Sequence, residues 1–169
     1  MNIVILLAAG KSTRAGQNKL WAKILGKELW TLSYETLWNH PEVDEIMVVV
    51  PLGEEEKFKP HLKSKTRICS GGETRSASFW NAYNFLKPAD TDYILDHNAA
   101  NPFVSAEEIS AVLAAAREHG AAAVSQPAVD TILEMKDGFY DKALDRSQLR
   151  LMQTPQAVKA ELLKNLVHD

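Results

Sequence analysis

Cysteine is nearly absent from this sequence: Cys69 is the only one among 169 residues. A single thiol excludes an intramolecular disulfide and a zinc site made of cysteines, so we expect Cys69 to be a packed thiol in a strand. Long apolar runs are also absent, and none approaches the roughly 20 residues that a membrane span requires. The chain reaches its first apolar run by residue 3, which indicates that there is no signal peptide. These absences predict a cytoplasmic protein with no membrane partner.

The sequence has no large excess of charge of either sign. Its formal net charge is −3, and 24% of its residues are charged. This small acidic balance argues against a general nucleic-acid binder. With 46% hydrophobic residues among 169, the chain is long and apolar enough for one globular domain, residues 1–169, with a substantial core.

Short apolar runs alternate with segments of helical periodicity through most of the chain. The runs that predict strands are 3–7, 46–50, 66–69, 93–96 and 121–124. The predicted helices are 30–40, a short surface helix within 52–64, a helix that follows the loop at 71–78, and one that starts at a Ser105/Glu108 capping box and stops at Gly120. This alternation predicts a three-layer α/β fold, Rossmann-like, with a mostly parallel sheet.

The alternation ends in the last third of the chain. A turn-forming pair, Asp137 and Gly138, lies between two apolar segments, 132–135 and 139–140. This pattern predicts a β-hairpin that projects from the sheet. A last helix is predicted to carry Leu162, Leu163 and Leu166.

The first predicted strand runs into a loop of small residues, Ala8, Ala9 and Gly10. With so little side chain, the backbone can approach a ligand closely, and its N–H groups can form a nest for an anion. Arg14 and Lys19 follow in the same turn-rich segment and add two cations. The segment therefore predicts a phosphate-binding loop.

The spacing of this loop excludes two common phosphate-binding motifs. A P-loop ending at Gly10 needs a glycine five positions earlier, where Ile5 stands in the predicted strand. The dinucleotide fingerprint needs glycines where Ser12 and Thr13 stand. What remains is L-A-A-G-x-S-x-R-x-G-x-x-K, which resembles the signature loop of the nucleotidyltransferases that activate sugars and polyol phosphates.

Four stretches, in order along the chain, resemble one family within that group. They are AAGKSTRAGQNK at 8–19, GGETRSAS at 71–78, HNAANPF at 97–103, and DTI at 130–132 together with LDRSQL and QTPQ within 144–156. The family is that of the cytidylyltransferases that join CTP to 2-C-methyl-D-erythritol 4-phosphate in the non-mevalonate pathway of isoprenoid synthesis. The ribitol-5-phosphate cytidylyltransferases share much of the pattern. The resemblance implies a GT-A-like nucleotidyltransferase fold and release of pyrophosphate.

The resemblance also implies roles for individual residues. Arg14 and Lys19 match the catalytic loop cations that grip the triphosphate. The nucleotide-binding positions of the family match Ala8, Ala9, Gly10, Gly72, Glu73 and Ser78, of which the last three read cytosine. Arg75, in the same stretch, is as well suited to bracing the loop as to touching the ligand.

The substrate's own phosphate is bound, in the family, at positions that match Thr131 and Arg146. Arginine suits this role because its guanidinium offers a bidentate fork to a phosphate. The hairpin between these positions, about 130–146, crosses to a second subunit in the family. The resemblance therefore implies a homodimer with shared sites, whose partners are CTP and a polyol phosphate.

The chain departs from the family at the stretch that usually reads His-Asp-Ala-Ala-Arg-Pro. Asn98 replaces the aspartate that holds Mg²⁺, the cofactor that the resemblance implies, and Asn101 replaces the arginine. An amide oxygen can coordinate Mg²⁺ but brings no charge, so we expect weaker metal affinity. Asp96 compensates only if its strand continues to residue 98, because alternate residues of a strand share a face.

Family members also continue past the position of Asp169 and carry a further phosphate-binding lysine there. The residues therefore leave three hypotheses open. The chain is a cytidylyltransferase for 2-C-methyl-D-erythritol 4-phosphate, an enzyme of the same fold for another polyol phosphate such as ribitol 5-phosphate, or a catalytically degenerate nucleotide-binding module.

Overall fold

The structure is a computed structural model that describes residues 1–10, 19–164 and 166. Its strands are β1 (Asn2–Leu7), β2 (Lys23–Ile24), β3 (Lys27–Glu28), β4 (Glu45–Val50), β5 (Thr66–Ser70), β6 (Tyr93–Asn98), β7 (Ala121–Pro127), β8 (Leu133–Lys136), β9 (Phe139–Ala143) and β10 (Arg150–Lys159). Its α-helices are α1 (Leu29–Asn39), α2 (Glu55–Phe58), α3 (Arg75–Leu86), α4 (Ala106–His119) and α5 (Ala160–Lys164).

Within the described residues, the main sheet has six strands in the order β5-β4-β1-β6-β10-β7. The first four strands of this order are mutually parallel, and β10 is antiparallel to both of its neighbours. The predicted strands are therefore confirmed, but β10 was not predicted. Its ladder with β7 shifts register between Met152 and Gln156, around Pro155, which has no backbone N–H to donate. This interruption hides the strand from sequence periodicity.

Helices cover both faces of the sheet, which confirms the three-layer α/β architecture. Because alternate strand residues point to opposite faces, Val4 and Leu6 pack in the core with α1 and α4. Ile3 and Ile5 pack in a second core with α3 and α5. Burial on both faces explains why β1 reads as a continuous apolar run.

The predicted boundaries of α4 are confirmed by its caps, whereas α3 begins at Arg75, inside the stretch 71–78 that was predicted to be a loop. The Ser105 hydroxyl accepts from the Glu108 N–H at 3.1 Å, and the Glu108 carboxylate accepts from the Ser105 N–H at 2.9 Å, which completes a capping box at the start of α4. Gly120 ends α4 with φ +86°. Of the three leucines predicted for the last helix, however, only Leu163 is buried; Leu162 is exposed, and Leu166 is exposed and lies past Lys164, where α5 ends.

The charged segment 52–64 contributes more to the core than its composition predicts. It forms α2 and a 3₁₀ turn at Lys59–His61. Phe58 is fully buried there, with its ring 4.8 Å from that of Trp21 and 5.0 Å from that of Trp30. A single aromatic side chain anchors an otherwise charged surface helix, so average composition misses the contact.

The predicted hairpin is confirmed as β8 and β9. Asp137 and Gly138 have φ values of +51° and +83°, as a type I′ turn requires. Its apolar side chains Leu133, Met135, Phe139 and Tyr140 are exposed.

Cys69 lies in β5 as expected, and burial raises the pKa of its thiol to about 11. Within the described part of the chain, no helix is long and apolar enough to cross a membrane.

Candidate active site

A cavity of about 410 Å³ lies where β1 and β6 end and α3 begins. Open α/β sheets bind ligands at the carboxyl ends of their parallel strands. The cavity is lined by Leu7, Ala8, Ala9, Gly10, Leu20, Gly72, Glu73, Thr74, Arg75, Ser78, Asn98, Ala100 and Asn101. The structure thus brings together all six predicted nucleotide-binding residues and Asn98.

The small-residue loop forms one wall of this cavity. The N–H of Ala8 donates to the Val49 carbonyl at 2.7 Å, so Ala8 extends the β1–β4 ladder and its amide is not available to a phosphate. The anion nest predicted for this segment therefore begins at Ala9 and Gly10. The predicted catalytic residue Arg14 lies outside the described residues.

The glycine loop that follows β5 forms the opposite wall. A Cβ atom added to Gly71 would lie 2.4 Å from the Cβ of Ala9 and 2.8 Å from the Oγ of Ser78. A Cβ added to Gly72 would lie 2.6 Å from the Cβ of Ala77. The two loops touch here, which only glycine permits. The role of Gly71 was missed from the sequence, although its Gly-Gly pair signals close backbone approach.

Ser78 holds the shape of this second loop. Its hydroxyl accepts from the Gly72 N–H at 3.0 Å and donates to the Thr74 carbonyl at 2.9 Å. Thr74 caps α3 by accepting from the Ala77 N–H at 3.0 Å. The buried Ser78 side chain therefore orders the wall that it also lines, while Glu73 is exposed at the cavity.

Arg75 joins this loop to the end of β6. Because β6 continues to Asn98, Asp96 and Asn98 lie on the same face of the sheet. The Arg75 guanidinium donates from Nη2 to Asp96 Oδ2 and from Nε to Asn98 Oδ1, the latter at 3.2 Å. Asp96 is only 7% exposed, and burial raises the pKa of its carboxyl although the charge of Arg75 opposes the rise.

The side-chain oxygens of Asp96 and Asn98 do not fit a divalent cation as they are arranged. No group of three or more His, Cys, Asp and Glu side chains that could hold a metal exists among the described residues. The carboxylate of Asp96 and the amide oxygen of Asn98 both accept from the positively charged Arg75. A metal ion at these oxygens would have to displace that guanidinium.

His97 was missed from the sequence as a residue that shapes the site. Its Nε2–H donates to the Asn101 carbonyl at 3.0 Å, and burial lowers the pKa of its imidazole. The Asn101 amide donates to the Thr154 hydroxyl at 3.1 Å. The loop that follows Asn98 is therefore fixed both to β6 and to β10.

A second groove, of about 490 Å³, shares Arg75 with the cavity and also contains Asp96, but it is walled mostly by apolar side chains of α3, β7 and β10. It is the larger of the two spaces. It contains neither glycine loop, so we assign the nucleotide to the smaller cavity between the loops.

Three other predicted site residues are not among those that line the cavity. Lys19 is exposed and begins the 3₁₀ turn whose next residue, Leu20, lines the cavity. Thr131 and Arg146 lie at the base of the hairpin and are exposed. Arg146 donates to the Val129 carbonyl at 2.6 Å. Within one chain, the predicted acceptor-phosphate residues are therefore not brought to the nucleotide cavity.

Comparisons with known proteins agree with this geometry. The family model IspD, 2-C-methyl-D-erythritol 4-phosphate cytidylyltransferase, matches residues 2–169. A 2-C-methyl-D-erythritol 4-phosphate cytidylyltransferase of Clostridium tetani is 37% identical, and the match covers 96% of this chain and 68% of the relative. One of Thermotoga neapolitana is 34% identical, with 97% of this chain and 75% of the relative covered.

The fold is similar to that of a solved structure, the 4-diphosphocytidyl-2C-methyl-D-erythritol synthase of Anaerococcus prevotii. The TM-score is 0.82 at 24% identity, and the match covers 100% of this chain and 76% of that chain. This likeness confirms the fold, and the family model and sequence relatives decide the family. The chain belongs to the 2-C-methyl-D-erythritol 4-phosphate cytidylyltransferase family.

Proposed function

We propose that the chain is a nucleotidyltransferase that joins CTP to 2-C-methyl-D-erythritol 4-phosphate and releases pyrophosphate, as a step of isoprenoid precursor synthesis by the non-mevalonate pathway. The observation that carries this proposal is the cavity at the carboxyl ends of β1 and β6, which is bounded by two contacting small-residue loops that follow β1 and β5. The family membership supplies the reaction.

The reaction needs alignment and charge neutralisation more than covalent chemistry from the protein. A phosphate oxygen of the acceptor attacks the α-phosphorus of CTP, a new P–O bond forms, and the bond to the bridging oxygen of pyrophosphate breaks. Negative charge grows on the transferred group. Arg14 and Lys19 are the cations that we assign to this charge, and a cation in such a role contributes about 10³–10⁵ in rate.

The second loop is suited to binding the base. The Gly72 N–H is already paired with Ser78, so the loop keeps its shape before a ligand arrives. The loop lies against Ala9, since a Cβ on Gly71 would clash with it, and this contact limits the width of the cavity. We assign cytosine recognition to Gly72, Glu73 and Ser78, because a narrow preformed wall favours a pyrimidine over a purine.

We further propose a homodimer in which the hairpin arm of one subunit completes the cavity of its partner. Two observations support this arrangement. Thr131 and Arg146 lie outside the cavity of their own chain, and the arm exposes four large apolar side chains, Leu133, Met135, Phe139 and Tyr140. Exposed apolar patches of this kind mark interaction surfaces. A partner's arm would bring the acceptor-phosphate residues to the nucleotide.

Mg²⁺ remains the proposed cofactor, and we propose that it enters with CTP, bound mainly by the phosphates. Mg²⁺ commonly binds through substrate phosphates and few protein ligands. The cytoplasmic location remains a prediction from the sequence.

Pyrophosphate release measured with CTP and 2-C-methyl-D-erythritol 4-phosphate tests the proposal. Parallel reactions replace the acceptor with ribitol 5-phosphate and CTP with ATP. The expected result is turnover only with CTP and a clear preference for 2-C-methyl-D-erythritol 4-phosphate. Preference for ribitol 5-phosphate would reassign the acceptor, and CTP binding without turnover with either acceptor would identify a degenerate binding module.

A further inference from the structure

We propose that the Arg75 guanidinium is the built-in cation of this cavity, standing between the Asp96 carboxylate and the Asn98 amide where a divalent cation would otherwise bind. The protein by itself therefore holds no metal ion at these oxygens. The inference deepens the proposed function, since it concerns the same cavity, but its test uses no nucleotide.

The geometry carries the inference. Arg75 donates hydrogen bonds to both oxygens at once, from Nη2 to Asp96 and from Nε to Asn98. A guanidinium suits this position because its N–H groups form a planar fork that can bond two acceptors together. Asp96 and Asn98 lie at the end of one strand and on the same face, so one cation bridges their side-chain oxygens. That is the arrangement in which a metal ion would use the same two oxygens.

The balance of charge favours arginine over a metal ion. Asp96 brings one negative charge and Asn98 none, so a single positive charge neutralises the pair. Oδ1 of Asp96 is buried and has no hydrogen-bond partner among the described residues. A buried carboxylate is costly without a counter-ion, and Arg75 supplies it permanently. Mg²⁺ would add an unbalanced charge and would require several oxygen ligands in octahedral geometry.

The position of Arg75 also gives the ion pair a mechanical role. Arg75 is the first residue of α3 and follows the loop of Gly72 and Glu73. The ion pair therefore ties the loop that lines one wall of the cavity to the strand end that lines another. Arg75 acts on Asn98 as a positioning residue and places positive charge at the cavity wall.

Titration of the ligand-free full chain with Mn²⁺, with free Mn²⁺ followed by electron paramagnetic resonance, tests the inference. The informative variant is Arg75→Met, which removes the guanidinium and leaves an unbranched, uncharged side chain in its place. The matched control is Arg67→Met. Arg67 also pairs with a carboxylate, that of Glu45 at 3.1 Å, in strands at the far edge of the sheet. Arg67→Met changes the net charge by the same amount as Arg75→Met.

The unmodified chain and Arg67→Met should show only weak, non-saturating Mn²⁺ binding. Arg75→Met should bind one Mn²⁺ at least about tenfold more tightly, a difference of about 1.4 kcal/mol. The double variant Arg75→Met/Asp96→Asn should lose this gain. Equal Mn²⁺ binding by folded Arg75→Met and the unmodified chain would overturn the inference.

Asn98→Asp provides a second test that does not depend on the folding of the Arg75 variant. With Arg75 in place, the new carboxylate should pair with the guanidinium, and Mn²⁺ binding should stay within about threefold of the unmodified chain. A tenfold gain from Asn98→Asp alone would show that the cation position is open and the inference wrong. Pyrophosphate release is measured separately, so failure of the proposed function is distinguishable from either result.

Discussion

Replacing Gly71 by alanine tests whether the two loops of the cavity must touch. The new methyl group would lie 2.4 Å from the Cβ of Ala9 and 2.8 Å from the Oγ of Ser78. Carbon atoms in contact normally lie about 3.5–4.0 Å apart. One loop must therefore move by about 1 Å or more. Gly71 cannot move freely, because its N–H donates to the Val50 carbonyl at 2.7 Å.

The magnitude follows from the two consequences of that movement. Forcing an extra methyl group into a packed region costs about 1–3 kcal/mol. For a chain of this size, that corresponds to a fall in Tm of about 2–12 °C. Separation of the loops by about 1 Å also displaces the groups around the nucleotide, and a misplacement of that size costs about 10²-fold in rate. We therefore expect kcat/KM for CTP to fall about 100-fold.

Thermal unfolding and pyrophosphate release measure the two effects. Gly10→Ala is the control for stability, because its added Cβ meets no atom of the described residues within 4 Å. The double variant Ala9→Gly/Gly71→Ala removes the nearest atom of the clash and should recover part of both losses. If Gly71→Ala keeps the Tm and the kcat/KM of the unmodified chain, the close contact of the loops has no part in folding or binding, and the cavity as described is wrong.

Three further predictions concern other parts of the molecule. Arg14→Ala and Lys19→Ala should each lower kcat/KM for CTP by at least about 100-fold with little change in Tm, because both groups act on transition-state charge; an unchanged rate would refute the assignment. Deletion of 134–140 should abolish both dimer formation and acceptor binding, and sedimentation that finds an active monomer would contradict the shared site. Burial lowers the pKa of His97 in the folded chain, so as the pH falls the unfolded chain protonates this imidazole first. The contribution of neutral His97 to stability is therefore complete above the ordinary pKa of about 6.5 and is lost as the pH falls below it. Urea unfolding at two pH values, one above and one below that pKa, should therefore show a larger loss in the free energy of unfolding for the unmodified chain than for His97→Gln. Equal losses would exclude this role.

The local sequence was sufficient to predict most of the fold. Apolar runs, the Ser105/Glu108 capping box and the Asp137-Gly138 turn all act through contacts within a few residues, so their patterns can be read directly. The alternation of strands and helices then leaves few arrangements for a parallel sheet. Strand β10 was not predicted, because its own composition is polar and its hydrogen bonds to β6 on one side and β7 on the other make it a strand.

The site divides in the same way. Ala8, Ala9, Gly10, Gly72, Glu73, Ser78 and Asn98 could be chosen from local motifs, and the structure brings them to one cavity. The family resemblance offered bracing of the loop as one of two roles for Arg75, but the partners of Arg75 and the role of Gly71 could not be read, because each depends on which atoms the fold places opposite it. Gly71 meets Ala9 because β5 and β1 run in the same direction, on either side of β4, which brings both loops to one end of the sheet. Arg75 meets Asp96, 21 residues away, only because α3 packs over β1 and β6 ends beside it. Sequence specifies the chemical groups and local shape; tertiary packing decides which groups face each other and hence where the charge of the cavity resides.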